Sequence, residues 1–203
     1  MTNAIKLNTF KKNPLNKQLT EIAKLRYIAY LDNNSIDKRS DQIFYDDFDL
    51  SSNCYSHIEY IDGTPAAAIR ACVLDPKQKA NAIPAMEIFS KEIEEVTGAN
   101  DVIVETNKFV IHPKFQRKGL RLKFGLFSFI FNMSIKAGAR YIVSAVREEH
   151  VKFYEQMNFY LISEAKRYPG LYFDTVLLAG DVNTFSELSE KIKARLNIQA
   201  VAA

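Results

Sequence analysis

Tryptophan is absent from this 203-residue chain, cysteine occurs twice and histidine three times. With only Cys54 and Cys72 there can be no disulfide framework, so a reducing compartment is expected and the two thiols read as packed rather than catalytic. His57, His112 and His150 pair neither with each other nor with cysteine at ligand spacing, so no metal is expected. A strong charge of one sign is also lacking. The formal net charge of +3 gives no whole-protein field that argues for a nucleic-acid partner. Long apolar runs are missing: the longest, around 125–133, contains Ser128 with Asn132 and is too short to span a bilayer. The stretch Met1–Lys12 has no apolar signal core. No signal peptide and no integral membrane segment are therefore expected, and the cytoplasm is the default location. A Gly-x-Ser-x-Gly elbow and a P-loop lysine motif do not occur either, which removes two common hydrolase classes.

What is present is an ordinary soluble globule. Hydrophobic residues make up 47% and charged residues 25%, which excludes disorder of the whole chain. The length fits one domain with a sizeable core. No repeat or low-complexity linker interrupts it. Residues 1–14 read as an irregular arm, and 15–203 as a single domain.

From Asn16 to Leu31, apolar residues recur at helical spacing behind an Asn cap. Residues 32–54 form a polar loop with an expected short helix near Ser40–Tyr45; a loop of that length is usually functional. Tyr55–Ile61 and Ala66–Leu74 are strands around an Asp62-Gly63 hairpin turn. A helix is predicted from Pro84 to Val96, a strand over Val102–Ile111, and a long helix from Gly119 to about Lys136, closed by Gly138. Then come a strand (Tyr141–Val146), a short helix (Glu148–Met157) and a strand pair (Phe159–Ala165 with Leu171–Ala179) turned at Pro169-Gly170. The last element is a helix over Phe185–Leu196, within about 183–197. Hairpins mixed with β-α-β crossovers predict an α/β fold on a central mixed, twisted sheet flanked by helices.

Three segments carry candidate chemistry. The first is Gln116-Arg117-Lys118-Gly119-Leu120-Arg121, where a strand ends in a basic loop and a glycine opens a helix. Helix N-termini expose unpaired N–H groups and a positive dipole end, so this reads equally as a phosphate cradle or as a solvated basic turn. The second is Phe153-Tyr154-Glu-Gln-Met-Asn-Phe159, which taken alone reads as core packing with one amphipathic tyrosine.

Together these two segments resemble the GNAT acyltransferase superfamily, with its Gln/Arg-x-x-Gly-x-Gly/Ala loop and its later Tyr-Glu-x-x-Gly-Phe motif. Arg121 stands where the family has a small residue, and Asn158 where it has glycine; asparagine also tolerates positive φ. The third segment set narrows the resemblance: Arg26 and Tyr30, then Asp46-Asp-Phe-Asp49, then Arg70, then Glu105-Thr-Asn-Lys108-Phe109. This order is similar to that of the autoinducer (acyl-homoserine lactone) synthases and their relatives the N-acyl amino acid synthases. Asn107 and Lys108 replace the Ser and Arg of their Glu-x-Ser-Arg-Phe motif. The missing tryptophan departs from the lactone-forming group. The resemblance covers roughly residues 20–165.

Arg26, Arg70, Asp46 and Asp49 can balance one another as a partly buried cluster, either as substrate contacts, together with Lys108, or as salt bridges that hold the long loop down. Glu105 lies in an otherwise apolar strand. Desolvation there raises a carboxyl pKa and suits a general base; the alternatives are exposure at a strand start or pairing with Arg70. The helix after Gly119 is apolar nearly all round, so it is buried on more than one side, and Phe124, Phe127 and Phe131 are candidate walls for an acyl chain.

The resemblance implies an N-acyltransferase that moves an acyl group from acyl-CoA or an acyl-phosphopantetheine of an acyl carrier protein to a primary amine, with an amino acid as one such acceptor. It implies Glu105 as base and Tyr154 as acid. Phe109, Val110 and Ile111 would pair with the pantetheine arm, and Gln116–Arg121 would hold the phosphates. The chain would act as a monomer or a homodimer. The reading from another class is a non-catalytic module of the same fold that senses CoA or an amino acid.

Overall fold

A computed structural model describes residues 15–78 and 82–185, apart from the side chains of Lys118 and Leu120. The expected arm (1–14) lies outside the described residues, and so does the expected terminal helix, except for a helical turn at 182–185.

Asn16 caps the first helix, α1 (Lys17–Asp32), by accepting a hydrogen bond of 2.8 Å from the Leu19 amide. β1 (Cys54–Ile61) and β2 (Thr64–Leu74) form the expected hairpin. Its turn residues Asp62 and Gly63 both have positive φ, as the tight turn matched to strand twist requires. α2 (Met86–Val96) leads to β3 (Ile103–Ile111), α3 (Gly119–Ala137) follows, and β4 (Tyr141–Val146) returns beside β3. α4 (Val151–Glu155), β5 (Tyr160–Leu161) and β6 (Val176–Asp181) complete the described fold. The strands form one mixed sheet in the order β1-β2-β3-β4-β6-β5. Only β3 and β4 run parallel, so α3 makes the one β-α-β crossover among the described elements, while α2 joins antiparallel neighbours.

Alternation along the strands divides the core. One face packs Ile69, Ala71, Val104, Ile142 and Leu178 against Leu122, Leu126 and Ile130 of α3. The other packs Cys72, Ile103, Val143 and Leu177 against Phe89 and Ile93 of α2, with α1 covering Ile58, Ala68 and Val110.

Three local expectations need correction. The short helix of the long loop is a 3-10 turn at Asp47–Leu50, not at 40–45. Asp46 and Asp49 make a reciprocal capping box there, with the Asp46 amide 3.0 Å from Asp49 Oδ2. The helix after β4 begins as a 3-10 turn and ends at Glu155, with Asn158 at φ 60° in the position where the family has glycine. The final strand pair is shorter than expected because the Ser163 hydroxyl accepts the Leu177 amide at 2.6 Å, in place of a ladder bond. Pairing resumes only at a Lys166–Thr175 bridge.

Candidate active site

The site begins with one extra residue. Ala68 pairs with Val110 and Arg70 with Asn107, so Lys108 and Phe109 together oppose Ile69. This is a β-bulge, with Lys108 at φ 49°. A bulge bends its strand, and here β3 leaves β4 just before it: their pairing runs from Ile103–Tyr141 to Thr106–Ser144 and stops. A cleft of about 570 Å³ opens in the gap and passes through the sheet. Asn107–Ile111 line it from β3, and Ser144–Arg147 line it from the end of β4. The His112 amide donates to Ala66 of β2, so alternation turns the backbone groups of Phe109 and Ile111 the other way, into the cleft.

On the α1 face of the sheet, the expected charge cluster is assembled. Arg26 donates to Asp49 at 2.7 Å, and Arg70 contacts both Asp46 (2.5 Å) and Asp49 (3.2 Å). Lys108 Nζ lies 2.6 Å from Asp46 and 4.8 Å from the centre of the Phe44 ring. Arg26, Arg70 and the Asp49 carboxylate are buried, so these pairs hold the loop onto the sheet. Burial pushes the Asp46 carboxyl up, but Lys108 and Arg70 outweigh it and hold the group well below the usual carboxylate range. Three cations face two carboxylates. Of the five residues, only Lys108 also lines the cleft, with its pKa pushed down to about 8 by burial and by Arg70, against the pull of Asp46.

Glu105 does not reach the cleft wall. It is 1% exposed on the α2 face, where one carboxylate oxygen accepts the Ala85 amide and the other the Asn107 side-chain amide, both at 2.7 Å. Burial raises its pKa to about 7 despite those two donors. A base in contact with the amine is therefore not what the geometry provides. The cleft residue is Asn107, whose oxygen accepts from Arg70 Nε at 2.8 Å and whose amide orientation is thereby fixed. Tyr154, by contrast, is buried and lines the cleft. Its hydroxyl bonds to Ser144, the last β4 residue paired with β3, and burial pushes its pKa up to about 12.

On the α3 face, the basic segment is not an open loop. Pro113–Lys118 form a 3-10 helix, capped by His112 Nδ1 at 3.1 Å from the Lys114 amide, and the helix runs straight into α3. The Gly119 amide is already bonded to Gln116. Gln116, Arg117 and Gly119 line the cleft, whereas Arg121 does not. The three phenylalanines do not share one wall. The stripe turned to the sheet is Leu122, Leu126, Ile130 and Ser134, which leaves the phenylalanines on the flanks. Phe127 packs on Phe109, Phe153 and Tyr154, while Phe131 packs on Phe185. Neither they nor Phe124 line the cleft.

Sequence reasoning missed several lining residues. Lys123 stands 4.3 Å from the Phe153 ring centre. Arg147 lies 3.9 Å from the Phe173 ring centre and bonds to the Ser35 hydroxyl. Arg147 had one readable signal: it follows a parallel strand, at the end where α/β sheets open their crevices. Ser35 and Phe173 come from distant loops and had none. Among the described residues no group of three His, Cys, Asp or Glu side chains converges, and no helix is long and apolar enough to cross a membrane.

Residues 21–181 match the family of the N-acyl amino acid synthase FeeM. The chain belongs to this family. FeeM-family membership makes it an acyltransferase of the kind that acylates amines. No curated protein matches its sequence. Among solved structures, FeeM itself, an N-acyl amino acid synthase from uncultured soil microbes, is similar at TM-score 0.71 and 13% identity, over 88% of this chain and 94% of FeeM. BjaI, a CoA-dependent acyl-homoserine lactone synthase, is similar at TM-score 0.64 and 12% identity, over 88% of this chain and 83% of BjaI. A Lactobacillus plantarum protein described as a putative N-acetyltransferase follows at TM-score 0.55 and 11% identity, over 83% and 93%. At these identities the likeness is one of fold, and it bears out the α/β, GNAT-like architecture expected from the sequence.

Proposed function

We propose that this FeeM-family chain transfers an acyl group from a thioester, carried by CoA or by the phosphopantetheine of an acyl carrier protein, to the primary amine of an amino acid in the cytoplasm. The observation that carries this reading is a cleft with two chemically different ends and a tyrosine between them. The α3 end offers the unpaired backbone of Phe109 and Ile111, the aromatic Phe153, and the cations Arg117 and Lys123, which suits an amide-containing arm with phosphates. The other end carries Asn107, Lys108 and Arg147, which suits an acceptor bearing a carboxylate.

The chain's own groups then do the following. Backbone groups of Phe109 and Ile111 hold and orient the thioester arm. Asn107, fixed by Glu105 and Arg70, orients the amine, so Glu105 acts as a positioning residue. Lys108, in a cluster with one cation in excess, draws in the acceptor's negative group. Tyr154 stays protonated at neutral pH, donates its proton to the departing thiolate, and recovers one from the nitrogen that has become an amide; a free amine therefore needs no additional base.

The test is thiol release from acetyl, decanoyl and longer acyl donors, on CoA and on acyl carrier protein, with amino acids and with their decarboxylated counterparts as acceptors. The expected result is amine-dependent release, with each amino acid preferred over the matching carboxylate-free amine by about tenfold or more, the scale of one charge-assisted contact. Donor binding without any amine-dependent release would return the chain to the sensing-module reading.

A further inference from the structure

The two cysteines that the sequence treats as separate packed residues are neighbours. Cys54 opens β1 and pairs in register with Cys72 of β2, and their sulfurs are in contact. The Val73 amide bonds to the Asn53 carbonyl, while the Cys54 amide turns back to Ser51. Residues 53 and 73 are thus a hydrogen-bonded pair, and 54 and 72 are the adjoining non-bonded pair. Cα atoms in such a pair stand about 4.5 Å apart, inside the range a disulfide spans. Both thiols are free. The position is also consequential: Cys54 ends the loop that carries Asp46 and Asp49, and Cys72 lies two residues beyond Arg70, which holds those carboxylates. β1 is the edge strand of the sheet, and Cys54 is half-buried while Cys72 is fully buried.

We propose that Cys54 and Cys72 are a modification site, a dithiol that a low-molecular-weight disulfide converts into a cross-strand disulfide tying the end of the Asp46–Asp49 loop to β2. The exposure difference sets the order of events. The Cys54 thiolate attacks one sulfur of the small disulfide and releases one small thiol. The Cys72 sulfur then displaces the second small thiolate from Cys54 and passes it its proton, so that it leaves as a thiol. Two protein thiols are oxidised, and one small disulfide is reduced to two thiols. Cys72, fully buried, is out of reach of the small disulfide but in contact with the Cys54 sulfur, so it resolves rather than initiates. This site does not depend on the acyl-transfer reading.

The experiment uses the whole chain, which has no other cysteine. Reduced protein is incubated with oxidised glutathione and followed by intact mass, non-reducing peptide mapping and thermal unfolding. The expected product has lost two hydrogens, yields one peptide pair joined through Cys54 and Cys72, and reverts with dithiothreitol. Cross-linking positions 18 residues apart should raise the unfolding midpoint by roughly 5–10 °C. Cys54→Ser, at the half-buried position, should show neither the bond nor the rise, and Cys72→Ala supplies the same control from the other strand. A stable glutathione adduct without the cross-link, an unchanged mass, or an oxidised protein that melts no higher than the reduced one would each overturn the proposal.

Discussion

Substituting Glu105 by Gln tests the buried side of the site through the pH dependence of stability. The ordinary value for a glutamate is 4.5, and burial lifts Glu105 to about 7. The folded state therefore binds this proton more tightly than the unfolded chain does. The resulting stabilisation is fully present below about pH 4.5 and is lost as pH rises through about 7; the rise corresponds to about 3 kcal/mol. Gln cannot titrate, so its stability lacks this slope. Glu105 accepts from both Ala85 and Asn107, and Arg70 prevents Asn107 from flipping, so a Gln amide must face a donor on one side. A protonated Glu105 meets the same conflict through its O–H, so parent and variant differ little where Glu105 is protonated. The assay is urea unfolding of parent and variant at half-unit steps from pH 4.5 to 8.5. The expected difference is small in the acid range and grows by about 3 kcal/mol in the variant's favour toward pH 8. A difference that stays constant across that range would refute both the raised pKa and the positioning role built on it.

Tyr154→Phe should lower kcat by about 10²–10⁴-fold in a steady-state thiol-release assay, with donor Kd nearly unchanged, because the ring stays and only the proton is lost. Gly119→Val should weaken donor binding at least tenfold by calorimetry while the fold persists. A Cβ at 119 meets only Ile111 Cδ1, at 3.7 Å, so the added methyls project toward the cleft rather than into the core. Asp49→Ala should cost about 3–5 kcal/mol in chemical denaturation, since it leaves the fully buried Arg26 without its carboxylate.

The sequence carried the meander and the crossover helix well, because each rests on local chemistry: an Asp-Gly turn, an Asn cap, a glycine stop. It misplaced the 3-10 turn because the capping box of Asp46 and Asp49 acts over three residues, without the apolar rhythm that marks longer helices. The charge cluster was legible from the order of its motifs; its four other members pair within the cluster, and Lys108 also lines the cleft, which the order of motifs did not distinguish. Glu105 was legible as a buried carboxyl with a raised pKa, whereas its partner Ala85, 20 residues away at the start of α2, was not. The cysteine pair could have been found by counting outward from the hairpin turn, which brings 54 opposite 72 once the register shift near Tyr60 is included. Arg147, Ser35 and Phe173 meet only in three dimensions, joined across 112 residues by a single side-chain bond between the first two.

The bulge at Lys108 and Phe109 makes length, rather than identity, the constrained property of β3. A strand without it would keep Glu105, Asn107, Phe109 and Ile111 on one face. The additional residue reverses the phase, so Glu105 and Asn107 belong to the α1 and α2 side while Phe109 and Ile111 belong to the α3 side. One strand thereby serves both ends of the cleft. Side chains at 108 and 109 can be exchanged one for one with graded effects. Removing either position leaves a single residue opposite Ile69, so Val110 stays beside Ala68 on the α1 side and Ile111 beside Ala67 on the α3 side, but it erases the bend that parts β3 from β4. For directed evolution of this chain, a single-residue deletion in 108–109 straightens β3 toward β4 at the cleft while leaving the core register intact, whereas libraries of substitutions at the same two positions preserve the frame of the cleft.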